Sequence, residues 1–174
     1  IHLVDSHTYS AGYGYPTVQG AIMAENGASA AEILAYMEDW FDCVEIQFAV
    51  YSLEFVRKSG RVSAAAAFAG DLIGLKPIIS LTEGNSIIVE KLRGEKKIIP
   101  RLAAIAEERI VPGGEYFIVK AVLEEPVAQL AAQLTEALGY PPTGIVSGGP
   151  SITINAGVKL VGIIFKGQKR NHRE

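Results

Sequence analysis

The hydrophobic period of this chain switches from that of a helix to that of a strand at Val44, with no glycine or proline between them. Ile33, Leu34, Met37, Trp40, Phe41 and Val44 recur at helical spacing. Residues 45–51 then alternate, Ile46, Phe48 and Val50 against Glu45, Gln47 and Ala49, which predicts a strand with one buried side. A chain that turns a helical stripe directly into a strand must lay helices on a sheet. The fold class expected is therefore α/β, a mixed β-sheet covered by helices.

The remaining signals fill in this plan. Residues 1–5 read as a short strand, followed by a turn rich in Ser, Thr, Gly and Tyr. Residues 16–26 read as a helix closed by Asn26-Gly27. Ser29 with Glu32 three residues on forms a capping box that opens the next helix. Residues 53–58 and 63–73 read as helices, the second unusually small and apolar. Residues 77–81 and 86–92 flank Glu83-Gly84-Asn85 as a hairpin. Helices are expected over 95–110 and 126–138, with Pro126 in the first turn and Gly139 at the close. Strands are expected over 116–122, 143–146 and 159–166. No repeat and no linker-like run divides the chain, so residues 1–167 are expected to form one domain, with 168–174 a basic, disordered tail.

Composition narrows the function. The chain is 49% hydrophobic, yet no run approaches the roughly 18 apolar residues of a membrane span. The apolar surplus must line a core, an interface or a cavity. A net charge of -3 argues against nucleic acid, and the basic tail lacks interleaved aromatic residues. The single cysteine, Cys43, excludes internal disulfides and reads as a small buried hydrophobe in a cytoplasmic protein. No signal-peptide pattern opens the chain. Because it starts at Ile1 rather than Met, upstream sequence is expected to have been removed.

Generic catalytic patterns are weak. Gly12-Tyr-Gly14 and Gly148-Gly149-Pro150 form neither a dinucleotide nor a Walker pattern. His2, His7 and His172 stand at no metal-ligand spacing, so no metal is expected. Asp5-Ser6-His7 contains the residue types of a hydrolytic triad, but adjacent residues point different ways. Asp5 and Ser6 are better read as bonding the following turn. The pairs Glu38-Asp39 and Glu124-Glu125 read as helix surface and helix-dipole complement. Two features stay open on physics alone. Ala64-Ala65-Ala66-Ala67-Phe68 either lets backbones approach closely or leaves a slot for an apolar guest. Arg57, Lys58 and Arg61 form either a solvated turn or a contact for an oxyanion or an acidic partner.

Val4-Asp5-Ser6 with Ser10, Gly12 and Gly14 resembles the V-D-S-x-x-x-S-x-G-x-G that opens the C-terminal, lipid-holding domain of DegV-like bacterial fatty-acid-binding proteins. Leu53-Glu54-Phe55, Arg57-Lys58-Ser59-Gly60-Arg61-Val62 and Leu75-Lys76-Pro77-Ile78 are similar to its L-E-Y-L-R-K-G-G-R-I and N-I-K-P-I/L segments. Gly84 with Glu90-Lys91-Leu92-Arg93, and Gly149-Pro150, Asn155-Ala156-Gly157 and Gly162, follow in the family's order. The resemblance implies a carrier, not an enzyme, that binds a long-chain fatty acid in an apolar tunnel and presents it to a fatty acid kinase. An N-terminal domain of the same protein would complete the head-group site. Met23, Phe48, Ala64, Ala67, Phe68, Leu72, Ile73, Ile78 and Asn155 are the expected lipid contacts, and Arg57 and Arg61 the expected partner contacts. No cofactor is expected beside the acid. The sequence departs from the family where Asn155 replaces a His near the lipid head group, where Val158-Lys159 replaces Pro-Gly, and at Ala121-Val122-Leu123-Glu124. The alternative is a non-enzymatic interaction or structural domain that has lost lipid binding.

Overall fold

The computed structural model describes residues 1–60, 74–82 and 84–169. The small-residue segment 63–73 lies outside them. Two helices open the structure, α1 (Ala11–Glu25) and α2 (Ala30–Cys43), followed by β1 (Val44–Val50) and the short α3 (Glu54–Ser59). The hairpin β2 (Leu75–Thr82) and β3 (Asn85–Arg93) leads through one 3-10 turn into α4 (Ile98–Arg109). Then come β4 (Tyr116–Lys120), α5 (Glu124–Leu138), β5 (Gly144–Ser147), α6 (Pro150–Ala156) and β6 (Leu160–Lys166).

The strands form one mixed sheet in the order β3-β2-β1-β6-β4-β5. Among the described residues only β4 and β5 run parallel, as α5 between them requires; every other pairing there is antiparallel. Because β1 lies near the middle, both its faces are covered. Ala49 joins Ile78, Ile163 and Phe165 under α4 and α5. Val44, Ile46 and Val50 join Ile79, Phe117, Leu160 and Ile164 under the other helices. Gln47, expected on a solvent side, is 1% exposed and its Nε2 donates to Ser80 Oγ.

Local chemistry explains where the helices begin. The Ser29 and Glu32 capping box is present, each side chain bonding the other's backbone N–H. The first helix starts five residues before the expected Pro16 and carries that proline inside it. Proline has no N–H for the carbonyl of Gly12, four residues back, which would strand a buried acceptor. The indole Nε1 of buried Trp40 fills that place, donating to Gly12 O at 2.7 Å.

Two expectations fail. Residues 1–5 form no strand; Asp5 Oδ1 accepts the His7 N–H at 3.0 Å and Ser6 Oγ accepts the Thr8 N–H, so these side chains build a turn instead. Residues 150–156, left without an element between the strands expected over 143–146 and 159–166, are α6. Pro150 suits a first helical turn, Thr153 and Asn155 return their side-chain donors to the carbonyls of Gly149 and Ser151, and Gly157 at φ 83 ends the helix.

Candidate functional site

On the sheet face under α1, α3 and α6 the strands leave a cavity of about 120 Å³. Its floor consists of alternate residues brought into register: Ile46 and Phe48 of β1 lie opposite Ile164 and Gly162 of β6. Gly162 lines the middle, where the close approach of Phe48 admits no side chain: a Cβ there would stand 2.8 Å from Phe48 Cβ. Leu81, Val119 and Leu160 extend the floor.

The roof is made by two short helices that touch each other. Val56, 2% exposed, and Ser59 turn inward from α3, while Arg57 and Lys58 on the same helix face outward. Lys58 Nζ bonds Glu54 Oε1 at 2.7 Å one turn back. From α6 come Ser151, Ile152, Asn155 and Ala156. The remaining wall is Tyr9, Ser10 and Ser86, where the start of α1 meets the β2–β3 turn; the Gly84 N–H bonds His7 O there.

This lining is predominantly apolar. Among the described residues it carries hydroxyls and one amide, and no carboxylate, ammonium, guanidinium or imidazole. Asn155 Nδ2 donates to Ser151 O at 2.7 Å, which leaves its second N–H and its Oδ1 for a guest. Such a lining suits a segment of an apolar chain, each buried methylene contributing about 0.8 kcal/mol, with hydrogen bonds for a polar group at its ends. Among the described residues no cluster of His, Cys, Asp or Glu is placed to hold a metal. No described helix is long and apolar enough to cross a membrane.

The expected contacts divide. Phe48 and Asn155 line the cavity. Ile78 does not: it is fully buried on the opposite face under α4, because it pairs with Ala49 rather than with Phe48. Met23, half-buried on α1, is not part of the lining. Arg57 is exposed on the outer side of the roof. Ala64, Ala67, Phe68, Leu72, Ile73 and Arg61 lie outside the described residues. Sequence reasoning missed Ile46, although it alternates with Phe48 on one strand. It gave no lipid contact to Gly162, Ser10 or Ser59, which it named only as motif residues, nor to Ser86 and Ser151; their convergence depends on register and helix placement.

The DegV family model matches residues 1–167. A DegV domain-containing protein of Deinococcus radiodurans is 28% identical over 169 residues, covering 95% of this chain and 60% of the relative. The fold matches that of a fatty acid binding DegV family protein from Streptococcus agalactiae with a TM-score of 0.84, at 25% identity over 97% of this chain and 60% of that one. A DegV family protein from Thermus thermophilus, described by its fatty acid binding, matches with a TM-score of 0.77 at 29% identity, over 96% of this chain and 61% of that one. The chain thus spans about three fifths of the length of these relatives.

Proposed function

The chain belongs to the DegV family, and on that premise we propose that it holds a long-chain fatty acid in the cavity between the sheet and the α3–α6 roof. The observation that carries this reading is the cavity itself: an apolar floor through Ile46, Phe48, Gly162 and Ile164, with polar atoms gathered at its ends. The fatty acid binding of the Streptococcus agalactiae and Thermus thermophilus relatives supports it.

In this reading the protein is a cytoplasmic carrier and performs no covalent step. The acid's carboxyl lies toward Asn155, at the roof, and the chain runs over Phe48 toward the β2–β3 turn. Further sequence of the same protein, an N-terminal domain, would complete the head-group site. A fatty acid kinase would receive the acid and phosphorylate it, and Arg57 and Arg61 are the cations proposed to meet that partner. Exposure of Arg57 on the outer face of α3 suits this role.

The reading is tested by extracting the purified chain with organic solvent and analysing the extract by mass spectrometry, alongside titration of the delipidated chain with hexadecanoic acid. Long-chain acid near stoichiometry, with saturable rebinding, is the expected result. An empty extract together with no rebinding would leave the alternative, a domain without a lipid ligand.

A further inference from the structure

The cavity is polar at both ends, not at one. At the roof end stand Ser59, Ser151 and Asn155; at the other, Ser10 and Ser86. The register separates the two ends. Ser86 pairs with Leu81, Leu81 with Ile46, and Ile46 with Ile164, all at the end near the β2–β3 turn. The roof end adjoins Leu160, which pairs with Val50, four residues further along β1. Four residues of antiparallel strand span about 13 Å, and the floor between is the apolar pair Phe48 and Gly162.

The hydroxyls of Ser10 and Ser86 are not used by the fold. Ser10 stands at the N-cap of α1 without making a side-chain cap bond, and neither hydroxyl bonds another described residue, whereas the Tyr9 phenol beside them donates to Gly84 O. Both are partly buried against apolar floor. The methyl end of a plain acyl chain laid there would desolvate these groups and give nothing in return, which is unfavourable. A chain terminus bearing a hydroxyl would donate to one serine and accept from the other.

We propose that the end of the cavity at Ser10 and Ser86 is a second polar subsite for an oxygenated chain terminus, so that the favoured guest is a long-chain acid hydroxylated at or near its far end. This rests on the fatty-acid reading above and adds to it the class of acid. The two are separated by titrating the 174-residue chain calorimetrically with plain acids and with ω-hydroxy acids of matched lengths. The expected result is that, at one length at least, the ω-hydroxy acid binds about five- to tenfold tighter than its plain counterpart, the effect of one net hydrogen bond. In Ser86→Ala, and in Ser86→Ala combined with Ser10→Gly (which suits the φ of 54 at that position), the ratio falls to about one. Plain acids binding as tightly as hydroxy acids at every length, or more tightly, would overturn the subsite while leaving the carrier reading in place. Binding of neither class would overturn both.

Discussion

Asn155 is the residue at which chemistry and sequence meet most directly. An amide accepts and donates but carries no charge, so acid binding at this position should change little between about pH 5 and 8. Asn155→His introduces an imidazole that gains a proton below about 6.5. Acid binding by that variant is expected to tighten as the pH falls through this range, checked by titration at several pH values; a pH-independent affinity would place the carboxyl elsewhere. Gly162 is the second decisive position. A methyl there meets Phe48 Cβ at 2.8 Å and Gln47 O at 3.1 Å. Gly162→Ala is therefore expected to cost about 1–3 kcal/mol by denaturant unfolding and to weaken acid binding by narrowing the middle of the cavity. The resemblance named both Asn155 and Gly162, but what Gly162 does was not legible: its contact is with a strand more than a hundred residues earlier.

Elements were easier to read than their ends. The capping box placed the start of α2 correctly, and the αL glycine at Gly139 closes α5 as expected, because both signals act within one turn of backbone. Pro16 misled for the opposite reason. Its natural place is a first turn, and it is tolerated deeper in α1 only because Trp40, from another helix, supplies the missing donor. Trp40→Phe keeps the ring and removes that donor, leaving the Gly12 carbonyl buried without a bond. It is expected to destabilise the fold by about 1–3 kcal/mol, measured by denaturant titration, while Trp40→Phe at full stability would show that Gly12 O finds water. Residues 150–156 contain the β-branched Ile152, Thr153 and Ile154 and show no helical period, so the sequence assigned them no element. They are helical because Pro150, the Thr153 and Asn155 back-bonds and Gly157 bracket about two turns.

At the scale of the whole molecule, burial leaves a titratable signature. It pushes the Tyr36 phenol up to about 12, helped by the neighbouring Tyr15 and Glu115, and raises Tyr15, Tyr51, Tyr116 and Tyr140 as well. These groups are neutral when protonated, so the folded state holds its protons where the unfolded chain, near 10, releases them. Their contribution is fully present below pH 10 and is lost as the pH rises above it, for Tyr36 toward about 12. Unfolding in alkali should therefore coincide with the rise of tyrosinate absorbance, followed together with far-ultraviolet circular dichroism; early tyrosinate without loss of helix would contradict it. The same burial marks the boundary between what the sequence determined and what it did not. Periods of two and 3.6, a capping box and glycine stops are written within a few consecutive residues. They determined the α/β class and the identity of most elements, and the ordered motifs determined the family. Which face Ile78 occupies, that Gln47 is buried, and that Ile46, Phe48, Gly162 and Ile164 share one floor were decided only by tertiary structure. Register and face pairing arise from hydrogen bonds and excluded volume between residues far apart in the chain, and no local pattern encodes them.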